Sequence, residues 1–397
     1  MAKTKTTSTP PASRRRKKDR TPQVFAVISN RQEASPLAVA LEHLGEGTII
    51  ISADEAGQAA LVDLTSRKEL AGIFDPDGLL QADFLNNKAL KNIPALILAQ
   101  QPPHRLARTI LPLLTRDERL RIAFADESHR RFFAFLLASE PNEVKRLSVL
   151  LPAVPEAPFG DQPDEWPRRG IVLALDLPGG RMPEVLRSAW RERPPLQEVL
   201  LNETLAEARV LGAQCLEECA IKVAQAHVGE MAAADLLEIA ARVGEVLEAE
   251  ARVASISDLA RREDVLIVGE GWRRVLNASK TRARLAGRLP RHALLDLLAR
   301  SRLAIFPQAG FAGVDPLVLA ALARGAFPIV TDHGGYESLF GDDIDRVAHP
   351  LLIGALTEAR LRDGPDLAEK AREAHRKALG NNGWPQRAAT MLQMVSA

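Results

Sequence analysis

The sequence predicts an α/β protein with two Rossmann-like, doubly wound domains, a helical insertion in the second domain and a disordered basic N-terminal tail. Three observations predict this fold: short apolar runs alternate with amphipathic segments, the alternation occurs twice, and a proline-rich stretch separates the two series. Strands that are apolar throughout and alternate with helices are typical of parallel sheets covered on both faces. The expected domains are residues 22–152 and 170–380, joined by a linker at 153–169 that contains four prolines.

The composition supports a folded protein of two or three domains. The chain has 397 residues, of which 46% are hydrophobic and 26% charged. No apolar run approaches the roughly 20 residues of a membrane-spanning helix. Two cysteines exclude a disulfide framework, and together with the absence of a secretory signal they favour the cytoplasm. With aromatic residues at 4%, a stacking platform for single-stranded nucleic acid is not expected.

The basic N-terminal tail is distinct from the rest of the chain. Residues 1–21 hold eight lysines and arginines against one acidic residue, and the remainder has a net charge of −6. The tail lacks apolar side chains that could form a core, so we expect it to be disordered. Its basic run at 14–18 could make weak contact with an anionic surface, although a solvated tail that improves solubility is the alternative.

Six apolar runs are predicted as the strands of the first domain: 24–29, 48–52, 71–74, 94–99, 121–125 and 147–152. Helices are expected between them at 36–44, 55–68 and 104–115. Five runs are predicted as the strands of the second domain: 170–176, 198–202, 264–269, 302–307 and 326–332. The stretch 203–260 is rich in Ala, Leu and Glu and lacks proline, which predicts a helical insertion. A final helix is expected at 381–397.

Glycine-rich segments at strand ends and helix starts suggest anion sites in the second domain. Gly269 and Gly271 follow a predicted strand and allow close approach of the backbone. The loop amides of Gly313, Val314 and Asp315 precede a helix that begins at Pro316, where a helix N-terminus favours negative charge. Gly334 and Gly335 could hold a phosphate in the same way, or they could simply form a turn.

An ordered set of motifs carries a family resemblance: VGEGW (268–272), AGRLP (286–290), LAIFP (303–307), LAALARGAFPIVTDHGGYESLF (319–340) and NNGWPQRAATML (381–392). This part of the sequence resembles the carboxyl domain of GT-B glycosyltransferases, nearest to the CgeB-like branch associated with spore maturation. The resemblance implies a nucleotide-sugar donor in the second domain, an acceptor of glycan, protein or lipid type in the first, and no metal or other cofactor. Relatives carry acidic residues where this chain has Ala312 and Ala320, and the nearer branch has a basic residue at Leu317. Asp315 lies close enough in sequence to substitute for these anchors.

Under this resemblance, charged residues near the strand ends are candidates for substrate contacts. Arg288 and Arg181 each follow a glycine and could stabilise the leaving diphosphate. Glu337 could contact the sugar or cap its own short helix. A general base would lie in the first domain, where Asp126 and His129 follow a strand, although Asp126 could equally be a helix N-cap.

Two other functions are compatible with the sequence. The first is a non-catalytic GT-B-like binding or scaffold protein, because the acidic anchors are missing. The second is a regulatory protein whose first domain is a degenerate receiver, suggested by the spacing of SADEAGQAALVDL, LAGIFDPDG and IPALILAQ. Ser29 and Asn30 replace the acidic pair that would bind a metal there, so phosphorylation at Asp75 is not expected. Cys215 and Cys219 lie four residues apart but have no further ligands nearby, which favours packing over metal binding.

Overall fold

The structure is a computed structural model, and it describes residues 23–29, 35–76, 78, 87–99, 106, 111, 114, 118–137, 141–155, 170–177, 180–210, 216–276, 280–308, 313–332, 334–362 and 366–396. The predicted basic tail, most of the predicted linker and most of the predicted helix at 104–115 lie outside these residues. Among the described helices, none combines the length and the apolar character that crossing a membrane would require.

The first domain is a parallel six-stranded sheet in the order β2-β1-β3-β4-β5-β6. Its strands are β1 (Val24–Ile28), β2 (Gly47–Ile51), β3 (Leu70–Asp75), β4 (Ala95–Ala99), β5 (Leu120–Phe124) and β6 (Leu147–Val149). Its described helices of four or more residues are α1 (Pro36–His43), α2 (Glu55–Ser66), α3 (Glu127–Leu136) and α4 (Pro141–Val144). All six predicted strands are confirmed, because buried strands of a parallel sheet read as continuous apolar runs.

The second domain is also a parallel six-stranded sheet, in the order β12-β11-β10-β7-β8-β9. Its strands are β7 (Ile171–Ala174), β8 (Val265–Val268), β9 (Arg284–Ala286), β10 (Leu303–Phe306), β11 (Phe327–Thr331) and β12 (Asp345–Val347). The strand order reverses between β7 and β10, and doubly wound sheets bind ligands beyond the carboxyl ends of the strands at such a switch point. The sequence did not indicate β9 and β12, which have only three residues each and are mostly incompletely buried.

The predicted strand at 198–202 is wrong. These residues belong to helix α6 (Pro195–Val210), which follows the short α5 (Pro183–Ser188). Leu200, Leu201, Thr204, Leu205 and Ala208 are buried. This spacing of three and four residues marks one face of a helix, whereas the five-residue run taken alone reads equally well as a strand.

The helical insertion consists of α6, α7 (Leu216–His227) and α8 (Ala233–Leu259), which pack on one another around their own apolar core. The insertion contacts the first domain, since Leu237 joins that domain's core and Arg131 forms an ion pair with Glu218 at 3.1 Å. The last part of α8 joins the core of the second domain through Ala249 and Ile256. The helix α8 therefore connects the insertion to the second sheet.

The remaining helices of the second domain follow β8 in sequence: α9 (Trp272–Val275), α10 (Arg291–Arg300), α11 (Pro316–Ala323), α12 (Gly334–Phe340), α13 (Leu352–Arg362), α14 (Leu367–Asn382) and α15 (Trp384–Ser396). The last helix, α15, packs on α1 and β4 of the first domain. Two hydrogen bonds tie the chain after β6 to α14: the Val154 amide donates to the Asn382 carbonyl (2.8 Å), and the His375 side chain donates from Nε2 to the Pro155 carbonyl (2.8 Å). Together with the contacts of the insertion, these contacts hold the second domain against the first.

A substitution of Met391 tests the packing of α15 on the first domain. Its side chain is fully buried in a cluster that includes Leu37 of α1 and Leu96 of β4. Because Met391→Ala would leave a cavity there, we expect it to lower the free energy of unfolding by about 2 kcal/mol. The exposed Gln393 on the same helix supplies the control, and Gln393→Ala should change the urea-denaturation midpoint little. Equal midpoints for the two variants would contradict the packing of α15 on the first domain.

Candidate functional site

The second domain has a cleft of about 1020 Å³ at the carboxyl ends of β7, β8 and β9. Its walls are formed by the segments that follow these strands and by one face of α8. The cleft borders the switch point between β7 and β10, where the topology of the sheet predicts a ligand site. The described residues that line it all belong to the second domain and its insertion.

Asp176, just beyond β7, organises one wall of this cleft. Its Oδ1 accepts a hydrogen bond from the Glu270 amide (2.9 Å), and its carboxylate forms an ion pair with Arg288. Burial opposes ionisation of Asp176, but the hydrogen bonds from Arg288 and from the Glu270 amide hold its pKa below the usual value. The predicted diphosphate contact Arg288 thus lines the cleft with an exposed guanidinium that already has a carboxylate partner.

Gly269 and Gly271 let the loops beyond β7 and β8 approach each other. Both have positive φ, +136° and +91°. A Cβ on Gly269 would lie 2.2 Å from the Leu175 carbonyl oxygen, and one on Gly271 would lie 2.7 Å from the Gly180 Cα. Both glycines line the cleft, and their geometry explains why side chains are excluded at these positions.

The other predicted cation, Arg181, lies just after Gly180 at the beginning of the turn into α5. Its side chain is exposed, and it is not one of the residues that line the cleft. Pro178 and Gly179, which precede it, lie outside the described residues. The structure therefore places Arg288 in the cleft and Arg181 beside it.

Asp315 is the centre of a polar cluster beyond β10. Its Oδ1 accepts the Leu317 amide (2.8 Å) and so caps α11, while its Oδ2 accepts Gln308 Nε2 (2.8 Å). Tyr336 completes the cluster, because its hydroxyl donates to Gln308 Oε1 (3.0 Å) and accepts the Asp315 amide (3.2 Å). Burial raises the pKa of Asp315, against the opposing effect of the Leu317 amide and of the Arg252 charge.

The neighbouring candidates lie on either side of this cluster. Gly313 and Val314 precede the cap residue and are buried. Ala320 is half-buried in the second turn of α11, and Ala312 lies outside the described residues. The structure brings Gly313, Val314 and Asp315 together at the carboxyl end of β10, in agreement with their adjacency in the sequence.

Gly334 and Gly335 form the first turn of α12, directly after β11 and Asp332. Glu337 is also in this turn, and its side chain is exposed, with Oε2 4.0 Å from Arg346 Nη1. Arg346 lies closer to Asp332, at 3.0 Å. His333, between Asp332 and Gly334, lies outside the described residues.

The two first-domain candidates lie at the carboxyl end of β5. Asp126 is the N-cap of α3, because its carboxylate accepts the Ser128 amide (2.7 Å). His129 is on the first turn of α3, and 1% of it is exposed. The structure does not bring either residue into the second-domain cleft.

Helix α8 contributes three charged residues to the cleft that the sequence did not indicate as site residues. Glu245, Glu248 and Arg252 lie on one face of this helix and line the cleft. Arg252 donates to the Asp176 carbonyl and forms an ion pair with Glu248. In the sequence these three residues are charged and lie three and four positions apart. Such spacing is common on solvated helices and does not by itself indicate a site.

The C-terminal part of the chain is similar in sequence to a known family, and the whole chain is similar in fold to solved structures. Residues 226–393 match a family model described as glycosyl transferase-like. No curated protein matches the chain significantly.

Solved structures with a similar fold cover nearly the whole chain. The Anabaena protein HepE in complex with UDP-glucose has a TM-score of 0.50 at 10% identity, over 93% of this chain and 99% of that chain. AviGT4, a glycosyltransferase involved in avilamycin A biosynthesis, has a TM-score of 0.49 at 11% identity, over 94% and 97%. A glycosyltransferase from Rickettsia africae has a TM-score of 0.48 at 12% identity, over 94% and 98%. The chain has the GT-B fold of two Rossmann-like domains, and its C-terminal part is similar to glycosyltransferases.

Proposed function

We propose that the protein is a metal-independent glycosyltransferase that moves a sugar from a nucleotide-diphosphate sugar to a glycan, protein or lipid acceptor. The observation that carries the proposal is the large cleft beside the switch point of the second sheet, bordered by glycine-rich strand ends and by Arg288. The family model that matches residues 226–393 supports the reaction class. The complex of HepE with UDP-glucose makes a uridine nucleotide the first donor to test.

The reaction requires charge stabilisation on the leaving diphosphate. As the bond between the sugar's anomeric carbon and the diphosphate breaks, the acceptor oxygen forms the new bond and its proton passes to a base. Arginine side chains and backbone amides can stabilise the developing charge without a metal. Arg288, the loop amides of Gly313 and Val314 and the turn at Gly334 and Gly335 are the groups proposed for this role. Asp126 remains the proposed first-domain base, with His129 as the second candidate.

A specific observation favours a non-catalytic alternative. Asp315 lies in sequence between Ala312 and Ala320, where the acidic anchors are missing. It already uses both carboxylate oxygens, one to cap α11 and one to accept a hydrogen bond from Gln308. Ala320 offers no functional group in its place. A binding or scaffold protein with the same cleft would retain nucleotide binding but would not release nucleotide diphosphate from a donor sugar.

The strand order of the first domain bears on the receiver alternative. The order β2-β1-β3-β4-β5 is also that of flavodoxin-like and receiver domains. Asp75 lies at the end of β3 and is fully buried, which disfavours phosphoryl transfer to it. A regulatory role of the first domain through partner binding therefore stands beside the leading proposal, and binding assays with exchanged first domains would distinguish them.

Nucleotide binding tests the leading proposal. We expect isothermal calorimetry with UDP, GDP and CMP to detect binding of at least one nucleotide to the full chain. Arg288→Ala should weaken binding of that nucleotide about tenfold, because it removes a charge-assisted contact. Arg282, an exposed arginine near β9 that does not line the cleft, supplies the control, and Arg282→Ala should leave the affinity unchanged. Lack of binding for all three nucleotides would contradict the proposal, whereas binding without turnover of a donor panel would favour the scaffold alternative.

A further inference from the structure

Helix α8 passes over the carboxyl edge of the second sheet. Arg252 donates to the carbonyl of Asp176, just beyond β7, and Ser255 Oγ, which donates to the Ala251 carbonyl (2.6 Å), lies 3.4 Å from the carbonyl oxygen of Pro350, beyond β12. One turn before Arg252, Glu248 also lines the cleft. The insertion therefore places a cation and a carboxylate beside the switch point, where a doubly wound sheet binds its ligand.

Arg252 is held firmly in this position. Only 14% of its side chain is exposed, and its Nε is buried without a hydrogen-bond partner among the described residues. One arm of the guanidinium donates to Asp176 and the other pairs with Glu248, whose side chain is 23% exposed. A guanidinium stays charged even when it is buried, so Arg252 keeps a fixed positive charge in the wall of the cleft.

The charges of the cleft are balanced before any ligand binds. Among the described residues, four arginines and four carboxylates line it, and these include the pairs Arg288 with Asp176 and Arg252 with Glu248. An anion that enters must therefore compete with carboxylates that are already in place. Exchange at Arg252 replaces one ion pair of the guanidinium by another, so the buried Arg252 charge stays paired while the displaced carboxylate is that of the less buried Glu248.

We propose that Arg252 is a diphosphate-binding residue of the cleft and that Glu248 is the internal carboxylate which the diphosphate displaces from it. This inference rests on the proposed function, because it names the group that the donor's diphosphate would meet. A diphosphate carries more negative charge than a carboxylate and matches the guanidinium fork with two oxygens, so it can displace Glu248. Glu248 then sets the affinity by competition.

Variants of the two residues should change anion affinity in opposite directions. Arg252→Gln is expected to weaken binding of pyrophosphate and UDP to the full chain at least about tenfold, and Arg252→Lys about threefold, because lysine keeps the charge and loses the fork. Glu248→Gln is expected to strengthen binding about fivefold, because it removes the competing charge. Glu238→Gln is the matched control: it removes the same charge from the same helix, but Glu238 does not line the cleft and lies about 15 Å from Glu248 along the helix axis, so affinity should change by less than about twofold.

Calorimetry of these proteins with pyrophosphate and UDP decides the inference. Opposite shifts for the Arg252 and Glu248 variants, with Glu238→Gln close to the unchanged protein, would support it. Equal affinities of the unchanged protein, Arg252→Lys and Glu248→Gln would overturn it, as would a lack of pyrophosphate binding to all of them. Pyrophosphate binding that follows the expected order, without binding of any nucleotide diphosphate, would overturn the proposed function and leave Arg252 as an anion site.

Discussion

Gly269→Ala is expected to lower the free energy of unfolding by about 4 kcal/mol. Its backbone lies at φ +136°, where an L side chain is strained by about 1–3 kcal/mol. The new Cβ would also lie 2.2 Å from the Leu175 carbonyl oxygen and 3.0 Å from the Asp176 amide nitrogen, so the segment beyond β7 would have to move. Such overpacking adds a further 1–3 kcal/mol, roughly. Urea denaturation followed by circular dichroism measures the total.

Gly287 provides the control for this substitution. It lines the same cleft, but a Cβ built on it meets no atom of the described residues within 4 Å. Gly287→Ala should therefore change stability by less than about 1 kcal/mol. If Gly269→Ala and Gly287→Ala were equally stable, the close approach of the segments beyond β7 and β8 would be wrong, and the described shape of the cleft with it.

Asp315→Ala is expected to lower the free energy of unfolding by about 3 kcal/mol. The substitution removes the cap of α11 and leaves the Leu317 amide and Gln308 without their acceptor. Asp315→Asn should be milder, because asparagine keeps an oxygen that can cap the helix. Urea denaturation measures both losses of stability. If Asp315→Ala lost no more stability than Asp315→Asn, the described cluster with Gln308 and Tyr336 would be contradicted.

The stability difference between the unchanged protein and Asp315→Asn should depend on pH. Burial raises the pKa of Asp315 in the folded state above its ordinary value of 3.8. A raised folded-state pKa means that the folded protein binds the proton more tightly than the unfolded chain. The stabilising contribution of Asp315 is therefore fully present below the unfolded pKa and is lost as the pH rises through the raised value. Parallel stability curves for the two proteins above pH 4 would contradict this assignment.

Much of the fold could be predicted from the sequence because its strands are buried on both faces. Runs such as 94–99 and 121–125 are apolar at nearly every position, and both are strands. The run at 198–202 fails because a five-residue apolar segment fits a helix face as well as a strand, and the helical signal appears only when residues up to Ala208 are included. The strands β9 and β12 were missed because three residues, mostly incompletely buried, carry no clear pattern.

The candidate site was predictable only in part. Arg288 became a candidate only through the family resemblance, because β9 before it was not predicted. Gly269 and Gly271 lie at the end of a predicted strand and could be assigned to the carboxyl edge of the sheet. Arg252 could not, because it lies inside a long helix whose path over the sheet is a property of the tertiary structure. For Asp126 the sequence left two roles open, general base and helix N-cap. The structure shows the hydrogen bond of the N-cap, and the catalytic role stays a proposal.

The most direct test of the account is a crystal structure of the full chain soaked with UDP and GDP. We expect electron density for a diphosphate in the cleft, within hydrogen-bond distance of Arg288 and Arg252. A nucleotide bound only elsewhere on the chain, or an empty cleft at saturating nucleotide, would contradict the assignment of this cleft as the donor site.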